Sequence, residues 1–84
     1  MKGNMKQIKV YSSNSCNPCK QLKAVLSTST ISSNIEFILL DDKPEVAKQL
    51  GIRTVPTTII YEGETEVQRI SGNNPLQIIQ AAES

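Results

Sequence analysis

The sequence lacks several residue types on which whole classes of function depend. Its 84 residues include no histidine and no tryptophan, only two cysteines and only three aromatic side chains. A structural zinc site usually needs four cysteine or histidine ligands, so this chain could complete one only as a dimer. The same limit applies to a bridging iron–sulfur cluster. We therefore expect no metal site within one chain, and a core that is mainly aliphatic.

Long apolar runs and a strong excess of one charge are also missing. The longest apolar stretch, IEFILL, is too short to span a bilayer, and the first ten residues contain no apolar run of signal-peptide length. Nine basic and eight acidic residues give a net charge of +1, whereas nucleic-acid-binding domains usually show a clear basic excess. We therefore expect a cytoplasmic protein that binds neither membranes nor nucleic acids.

The chain has no internal repeat, low-complexity tail or long linker, so residues 1–84 are predicted to form a single domain, with a monomer as the default. In the first half, KQIKVYS alternates as a strand does. The residues after the cysteines form a helical pattern with one apolar face of Cys19, Leu22, Val25 and Leu26. IEFILL predicts a strand buried on both faces, as in a parallel sheet.

The second half shows helix and hairpin signals. In DDKPEVAKQLG, Asp42 can cap a helix, Pro44 fits its first turn and Gly51 suits the position after its end. We interpret the acidic residues here as helix capping: Asp41, Asp42 and Glu45. TTIIYEGETEVQRI predicts two strands around a turn at 62–64. A last helix opens at Asn74 and Pro75, with an apolar face of Leu76, Ile79 and Ala82.

The resulting order, β-α-β-α-β-β-α, predicts an α/β fold. A βαβ unit followed by a ββα unit implies a four-stranded mixed sheet with helices on both faces.

The pair C-N-P-C lies where the first strand passes into the first helix. Two intervening residues allow Cys16 and Cys19 to form a disulfide once the helix begins. Cys16 is at the helix N-terminus, where unpaired N–H groups and the helix dipole stabilise a thiolate and lower the cysteine pKa from about 8.5. Five lysines also precede Glu36, the first acidic residue. These lysines add a positive field, or are simply solvated surface residues.

This arrangement predicts thiol–disulfide exchange, with Cys16 as the attacking thiolate and Cys19 as the resolving thiol. The supporting residues are Asn17 and Pro18, which set the turn and the redox potential, and the basic Lys20. No bound cofactor is needed, because the dithiol itself carries two electrons. Two other interpretations of the cysteines remain open: inert core residues, or half of a metal site shared by two chains.

The sequence resembles the thioredoxin/glutaredoxin superfamily over nearly the whole chain, and three segments carry the resemblance: VYSSNSCNPCK, GIRTVPT and YEGETEVQRISGNNP. The resemblance implies a thioredoxin fold and a protein disulfide reductase. It also implies a cis Val55–Pro56 peptide bond, and a substrate strand that lies over Thr54, Val55 and Gly72 by main-chain pairing. Tyr11 resembles an aromatic residue that lines the glutaredoxin groove, although ordinary packing explains it equally well.

The resemblance divides between two subfamilies and has clear departures. The short length and VYSSNSC resemble glutaredoxins and the glutaredoxin-like electron donors of ribonucleotide reductase, whereas Pro18, Lys20 and GIRTVPT resemble thioredoxin. Ser15 stands where thioredoxins carry tryptophan. Val10 stands where they carry a buried aspartate that accepts the proton of the resolving thiol. In this chain, transfer to solvent is therefore one route by which Cys19 could lose its proton.

The partners implied by the resemblance are disulfide-containing proteins, with ribonucleotide reductase as one client. Re-reduction would come from a thioredoxin reductase-like flavoprotein or from glutathione. Glutathione-binding groups typical of glutaredoxins are replaced by Asn14 and by the segment 71–74. The alternatives are a non-catalytic thioredoxin-fold binding module and a glutathione-dependent glutaredoxin.

Overall fold

A computed structural model of the chain describes residues 6–83. Its elements follow the predicted order: β1 Gln7–Ser12, α1 Asn17–Ser27, a short 3₁₀ turn Ser32–Asn34, β2 Ile35–Leu39, α2 Pro44–Leu50, β3 Thr57–Glu62, β4 Thr65–Ser71 and α3 Pro75–Glu83. Within this part of the chain, no helix is long and apolar enough to cross a membrane.

The four strands form one mixed sheet in the order β2-β1-β3-β4. β1 is parallel to β2 and antiparallel to β3, and β3 is antiparallel to β4. The hairpin between β3 and β4 turns at Gly63, whose φ is +64°. This architecture confirms the predicted α/β class and the four-stranded mixed sheet.

The main core lies between the sheet and the pair of helices α1 and α3. Its buried side chains come from these elements and from the loop after α1: Ile8, Val10, Leu22, Leu26, Ile31, Ile60, Ile70 and Ile78. On α1 the prediction of the apolar face was wrong for Val25, which is 46% exposed. On α3 the prediction was wrong for Leu76, which is 73% exposed, and the helix buries Ile78 instead.

The apolar run of β2 does not mark a strand buried on both faces, and that prediction was wrong. β2 is an edge strand, and its residues are partly buried or exposed. The strand is parallel to β1, as predicted, but only one neighbouring strand covers it. A continuous apolar run therefore does not distinguish an edge strand from a central one.

α2 packs on the opposite face of the sheet from α1 and α3. Arg69 pairs in register with Ile59, whose side chain points away from the core around Ile60. On that face, the Arg69 Nη1 donates a hydrogen bond to the carbonyl of Leu50, the last residue of α2, at 2.7 Å. Gly51 ends α2 in the left-handed conformation, as predicted. The predicted cap was wrong: Lys43 occupies the N-cap position, and no side chain caps the helix.

Candidate active site

Three predicted site segments lie at one end of the sheet. Tyr11 pairs with Thr57, and Thr57 pairs with Ser71, so the end of β1, the start of β3 and the end of β4 are side by side. The segments that continue from these strand ends are the loop to Cys16, the residues up to Pro56 and the turn at Gly72. The fold therefore brings the three predicted segments to a common edge.

Cys16 and Cys19 form a disulfide at the start of α1, with their Cα atoms 5.2 Å apart. Cys16 is the N-cap residue of the helix, and its Sγ accepts a hydrogen bond from the Cys19 N–H at 3.1 Å. A negative charge on this sulfur would face the unpaired N–H groups of the first helical turn. Cys16 is partly exposed, whereas Cys19 is only 3% exposed. The two sulfurs therefore differ in access to a partner protein.

The supporting residues surround the disulfide on the solvent side. Asn17 and Pro18 are the first two residues of α1, and both are exposed. Proline is tolerated here because the N–H that it lacks has no partner within a helix. Lys20 is exposed, and the first turn contains no acidic residue. The charged residue of α1 that is closest in sequence to Cys16 is therefore basic.

The Val55–Pro56 peptide bond is cis, the isomer that the resemblance implies. Pro56 is buried, and its carbonyl accepts a hydrogen bond from the Gly72 N–H at 2.8 Å. The Thr54 carbonyl accepts from the Thr57 hydroxyl at 2.6 Å. Val55 lies before β3, and within residues 6–83 its main-chain groups show no hydrogen-bond partner. Its peptide groups are thus available to an extended segment.

Two contacts around this edge were missed by the sequence analysis. Asp41, interpreted as a helix cap, instead accepts a hydrogen bond from the Asn14 N–H at 3.3 Å and so ties the loop before Cys16 to the end of β2. The Asn73 amide donates to the Gln21 side chain at 3.2 Å, which joins the turn before α3 to α1. Neither contact has a sequence signal, because each joins exposed polar residues that are far apart in the chain.

A cleft of about 310 Å³ opens beside Cys19. Its polar lining comes from the end of β1 and from α1, and its apolar wall comes from β2: Ser12, Ser13, Asn14, Lys20, Lys23, Phe37 and Leu39. The Lys23 Nζ lies 5.4 Å from the centroid of the Phe37 ring. The cleft gives the otherwise buried Cys19 a route to solvent that Lys20 and Lys23 border.

Tyr11 does not lie in this cleft. Its side chain is 3% exposed, and it lies on the face of the sheet opposite Val10. Burial raises the pKa of Tyr11 to about 12, and the neighbouring Tyr61 adds to the shift. The structure therefore favours packing for Tyr11, the second of the two roles we considered, because almost none of its surface can touch a substrate.

The family follows from comparison with known proteins. The Thioredoxin family model matches residues 3–84. The chain belongs to the thioredoxin family. It is 34% identical over 62 residues to thioredoxin of Chlamydia caviae, covering 68% of this chain and 59% of that protein. It is 35% identical over 72 residues to thioredoxin-2 of Saccharomyces cerevisiae, covering 82% of this chain and 69% of that protein.

Solved thioredoxin structures share the fold. Thioredoxin NaTrxh from Nicotiana alata aligns with a TM-score of 0.82 and 22% identity, covering 95% of this chain and 72% of that one. Reduced thioredoxin of Schistosoma mansoni aligns with a TM-score of 0.85 and 18% identity, covering 95% and 78%. The chain spans about three fifths of the length of several curated thioredoxins that it matches.

Proposed function

We propose that this protein is a thiol–disulfide oxidoreductase that reduces disulfides in partner proteins. The observation that carries the proposal is the disulfide at the start of α1, with Cys16 partly exposed at the N-cap and Cys19 buried behind it. Thioredoxin-family membership supports it. A dithiol at this position supplies two electrons by itself. Among residues 6–83, no group of three His, Cys, Asp or Glu side chains is placed to hold a metal ion.

In the proposed reaction, the Cys16 thiolate attacks a disulfide of the partner protein. The partner's S–S bond breaks, a mixed disulfide with Cys16 forms, and the displaced sulfur leaves as a thiolate that takes up a proton. Cys19 then attacks the Cys16 sulfur. This step forms the Cys16–Cys19 disulfide and releases the second partner sulfur as a thiol. The difference in exposure supports this order, because a protein disulfide can reach Cys16 but not Cys19.

The partner segment would bind as an extended strand beside Thr54, Val55 and Pro56, with Gly72 on the other side. The available main-chain groups of Val55 support this pairing, which is a short form of β-augmentation. At Gly72 the absence of a side chain allows close main-chain approach. Asn17, Pro18 and Lys20 are proposed to tune the redox potential rather than to bind the partner.

The family implies partners with disulfides and a reductase as electron donor. For this chain we propose a thioredoxin reductase-like flavoprotein as donor, with glutathione as the second candidate, and ribonucleotide reductase as one class of client. We propose action as a monomer in the cytoplasm, where thiols are kept reduced. Asn14 and the segment 71–74 supply neither the basic residue nor the aspartate with which glutaredoxins bind glutathione, which weighs against a glutaredoxin activity.

Turnover of a protein disulfide, measured with dithiothreitol as the reductant, tests the proposal. Wild-type protein should accelerate reduction, and Cys16→Ser should abolish the acceleration. Cys19→Ser is the matched variant: it keeps the attacking thiolate and should accumulate a mixed disulfide that mass spectrometry detects. Activity that survives Cys16→Ser would defeat the assignment. If the wild-type protein is inactive, and if it and both cysteine variants still bind a partner protein, the result would support a non-catalytic binding module instead.

A further inference from the structure

The two edges of the sheet are built differently. β4, at one edge, carries the ion pair of Glu66 and Arg69, and its pairing with β3 shifts register between Ile60 and Tyr61. Charges and irregular pairing of this kind keep an edge strand from pairing with another chain. β2, at the other edge, has one charged residue, Glu36, and pairs with β1 without a shift. Among residues 6–83, the β2 edge is therefore the one that stays open to a further strand.

The main-chain groups of β2 that face this open edge follow from the hydrogen bonds on its other side. The Leu40 N–H donates to the Ser12 carbonyl at 2.8 Å, and the Ser12 hydroxyl donates to the Ile38 carbonyl at 3.5 Å. Residues 38 and 40 thus direct their main-chain groups toward β1. Because successive residues of a strand alternate in this direction, the N–H and C=O groups of residues 35, 37 and 39 face outward.

Only part of this outward row is paired within residues 6–83. The Ile35 N–H donates to the Ser32 carbonyl, and the Leu39 carbonyl accepts from the Asp42 N–H at 3.2 Å. The Ile35 carbonyl, the N–H and carbonyl of Phe37 and the Leu39 N–H show no partner in this part of the chain. Donors and acceptors alternate along the row, so an extended segment laid beside β2 can pair with every one of them.

The side chains beside this edge favour an acidic segment. Phe37 and Leu39 form the apolar wall of the cleft beside Cys19, and the Lys23 Nζ lies 5.4 Å from the centroid of the Phe37 ring. Lys23 is exposed and forms no ion pair with a carboxylate of residues 6–83, and none of those carboxylates lines the cleft. A carboxylate brought in by another chain would therefore meet a positive charge that the described residues leave unbalanced.

The acidic residues on and after β2 do not supply that carboxylate. Phe37 packs against the core on the face that α1 covers, so the side chain of Glu36 lies on the opposite face of the strand. Asp41 follows the strand, and its carboxylate accepts a hydrogen bond from the Asn14 N–H. The α1 face of the β2 edge is thus apolar and basic.

We propose that the β2 edge and the cleft beside it form a second docking surface for the partner protein, which binds an extended segment that carries an acidic residue. This inference rests on the proposed oxidoreductase function, because it specifies a class of substrate for it. The segment pairs with the main chain of Phe37 and its neighbours. An acidic side chain on the α1 face of the segment, next to Phe37, lies beside Lys23.

The position of this surface suits a partner whose disulfide is at Cys16. β1 and β2 are parallel, so the Leu39 end of β2 is beside the end of β1 that leads to the cysteines. In the strand order β2-β1-β3-β4, the β2 edge and the segments at Val55 and Gly72 lie on opposite sides of β1. One partner can therefore contact both sides of the disulfide.

Two peptides that differ only in charge test the selectivity. Each contains a disulfide and an adjoining segment in which valine alternates with glutamate in one peptide and with glutamine in the other. With dithiothreitol as the reductant, wild-type protein should reduce the acidic peptide with a kcat/KM about threefold to fivefold higher, the size of an exposed ion pair. Salt at about 0.5 M should abolish the preference.

Lys23→Gln should lose this preference. Lys48→Gln is the matched control, because Lys48 is an equally exposed lysine on α2, on the opposite face of the sheet, and it should keep the preference. Equal reduction of the two peptides by wild-type protein would overturn the proposal. So would an equal loss of preference in Lys23→Gln and Lys48→Gln, which would indicate a general effect of net charge.

N-methylated forms of the acidic peptide test the main-chain pairing without changing the protein. One form is methylated at the glutamate nitrogens and the other at the valine nitrogens, so each lacks alternate N–H groups. One form should lose about tenfold in kcat/KM and the other should stay within about twofold, because only one set of N–H groups faces β2. An equal effect of both forms would contradict strand pairing.

Two further measurements separate the other outcomes. If sedimentation shows a wild-type dimer and neither peptide is preferred, a second copy occupies the edge and the proposal is overturned. If wild-type protein accelerates reduction of neither peptide, the proposed function fails. Fluorescence anisotropy with cysteine-free forms of the two peptides then still tests the docking surface, since selective binding of the acidic form supports it and equal binding contradicts it.

Discussion

Gly72→Ala gives the sharpest test of where a partner protein binds. Gly72 has φ +88°, and an added Cβ would lie 3.4 Å from the Asn74 Nδ2 atom. A left-handed conformation costs an L-residue about 1–2 kcal/mol, and the Asn74 amide, which donates to the Ser71 carbonyl at 2.8 Å, must shift slightly. With a urea m-value of about 1–3 kcal/mol/M, the unfolding midpoint should fall by about 0.3–2 M.

Gly63→Ala is the matched control. Gly63 has φ +64°, nothing lies within 4 Å of an added Cβ, and the residue is in the hairpin at the opposite end of the sheet. Both variants should therefore lose similar stability by urea unfolding. Only Gly72→Ala should also slow reduction of a protein disulfide, by about tenfold in kcat/KM, because a Cβ would obstruct the proposed substrate strand; tenfold corresponds to about 1.4 kcal/mol.

The rate must be measured at a temperature where both variants are fully folded. Equal activity of Gly72→Ala and Gly63→Ala would refute the binding position at Gly72. The rate should also be measured with a small disulfide such as oxidised glutathione. If Gly72→Ala slows that reaction as much as it slows reduction of the protein disulfide, the substitution acts on the cysteines rather than on the substrate strand.

Two further predictions concern stability. Leu22→Ala removes a side chain that is 0% exposed and should lower the free energy of unfolding by about 2–5 kcal/mol, whereas Val25→Ala, at 46% exposure, should cost well under about 1 kcal/mol; equal losses by urea unfolding would contradict the placement of α1. The pKa of Tyr11 is raised to about 12, so the unfolded chain releases this proton first and stability should fall as pH rises from about 10 to about 12. Tyr11→Phe should fall less steeply over that range, and identical slopes would show that Tyr11 ionises as it does in the unfolded chain.

The order of elements was predictable because each element carries a local signal. Pro44 and Gly51 bracket α2, and Gly63 marks the hairpin. The C-x-x-C pair marks the start of α1. Such signals depend on backbone conformation and hydrogen bonding within a few residues of the chain, so they are readable without tertiary contacts.

Burial was less predictable than element order. Val25 and Leu76 fit a helical apolar face, yet they are 46% and 73% exposed. The apolar β2 is at the sheet edge because strand order is set by the crossover connections, not by the composition of the strand. Periodicity identifies a face but not which part of it is covered.

The cysteine pair and the segments around Pro56 and Gly72 could be proposed as a site from the sequence. The contacts around them could not. Asp41 appeared to be a helix cap, but the tertiary fold uses its carboxylate to hold the Asn14 N–H.

The central claim is that Cys16 is an activated nucleophile, and alkylation of the fully reduced protein across a pH series tests it most directly. Mass spectrometry locates the label on each cysteine. We predict that Cys16 alone reacts rapidly, with an apparent pKa well below the usual value of about 8.5, because its sulfur is at the helix N-cap and partly exposed. Equal reaction of both cysteines near that value, or no reaction of either, would contradict the account.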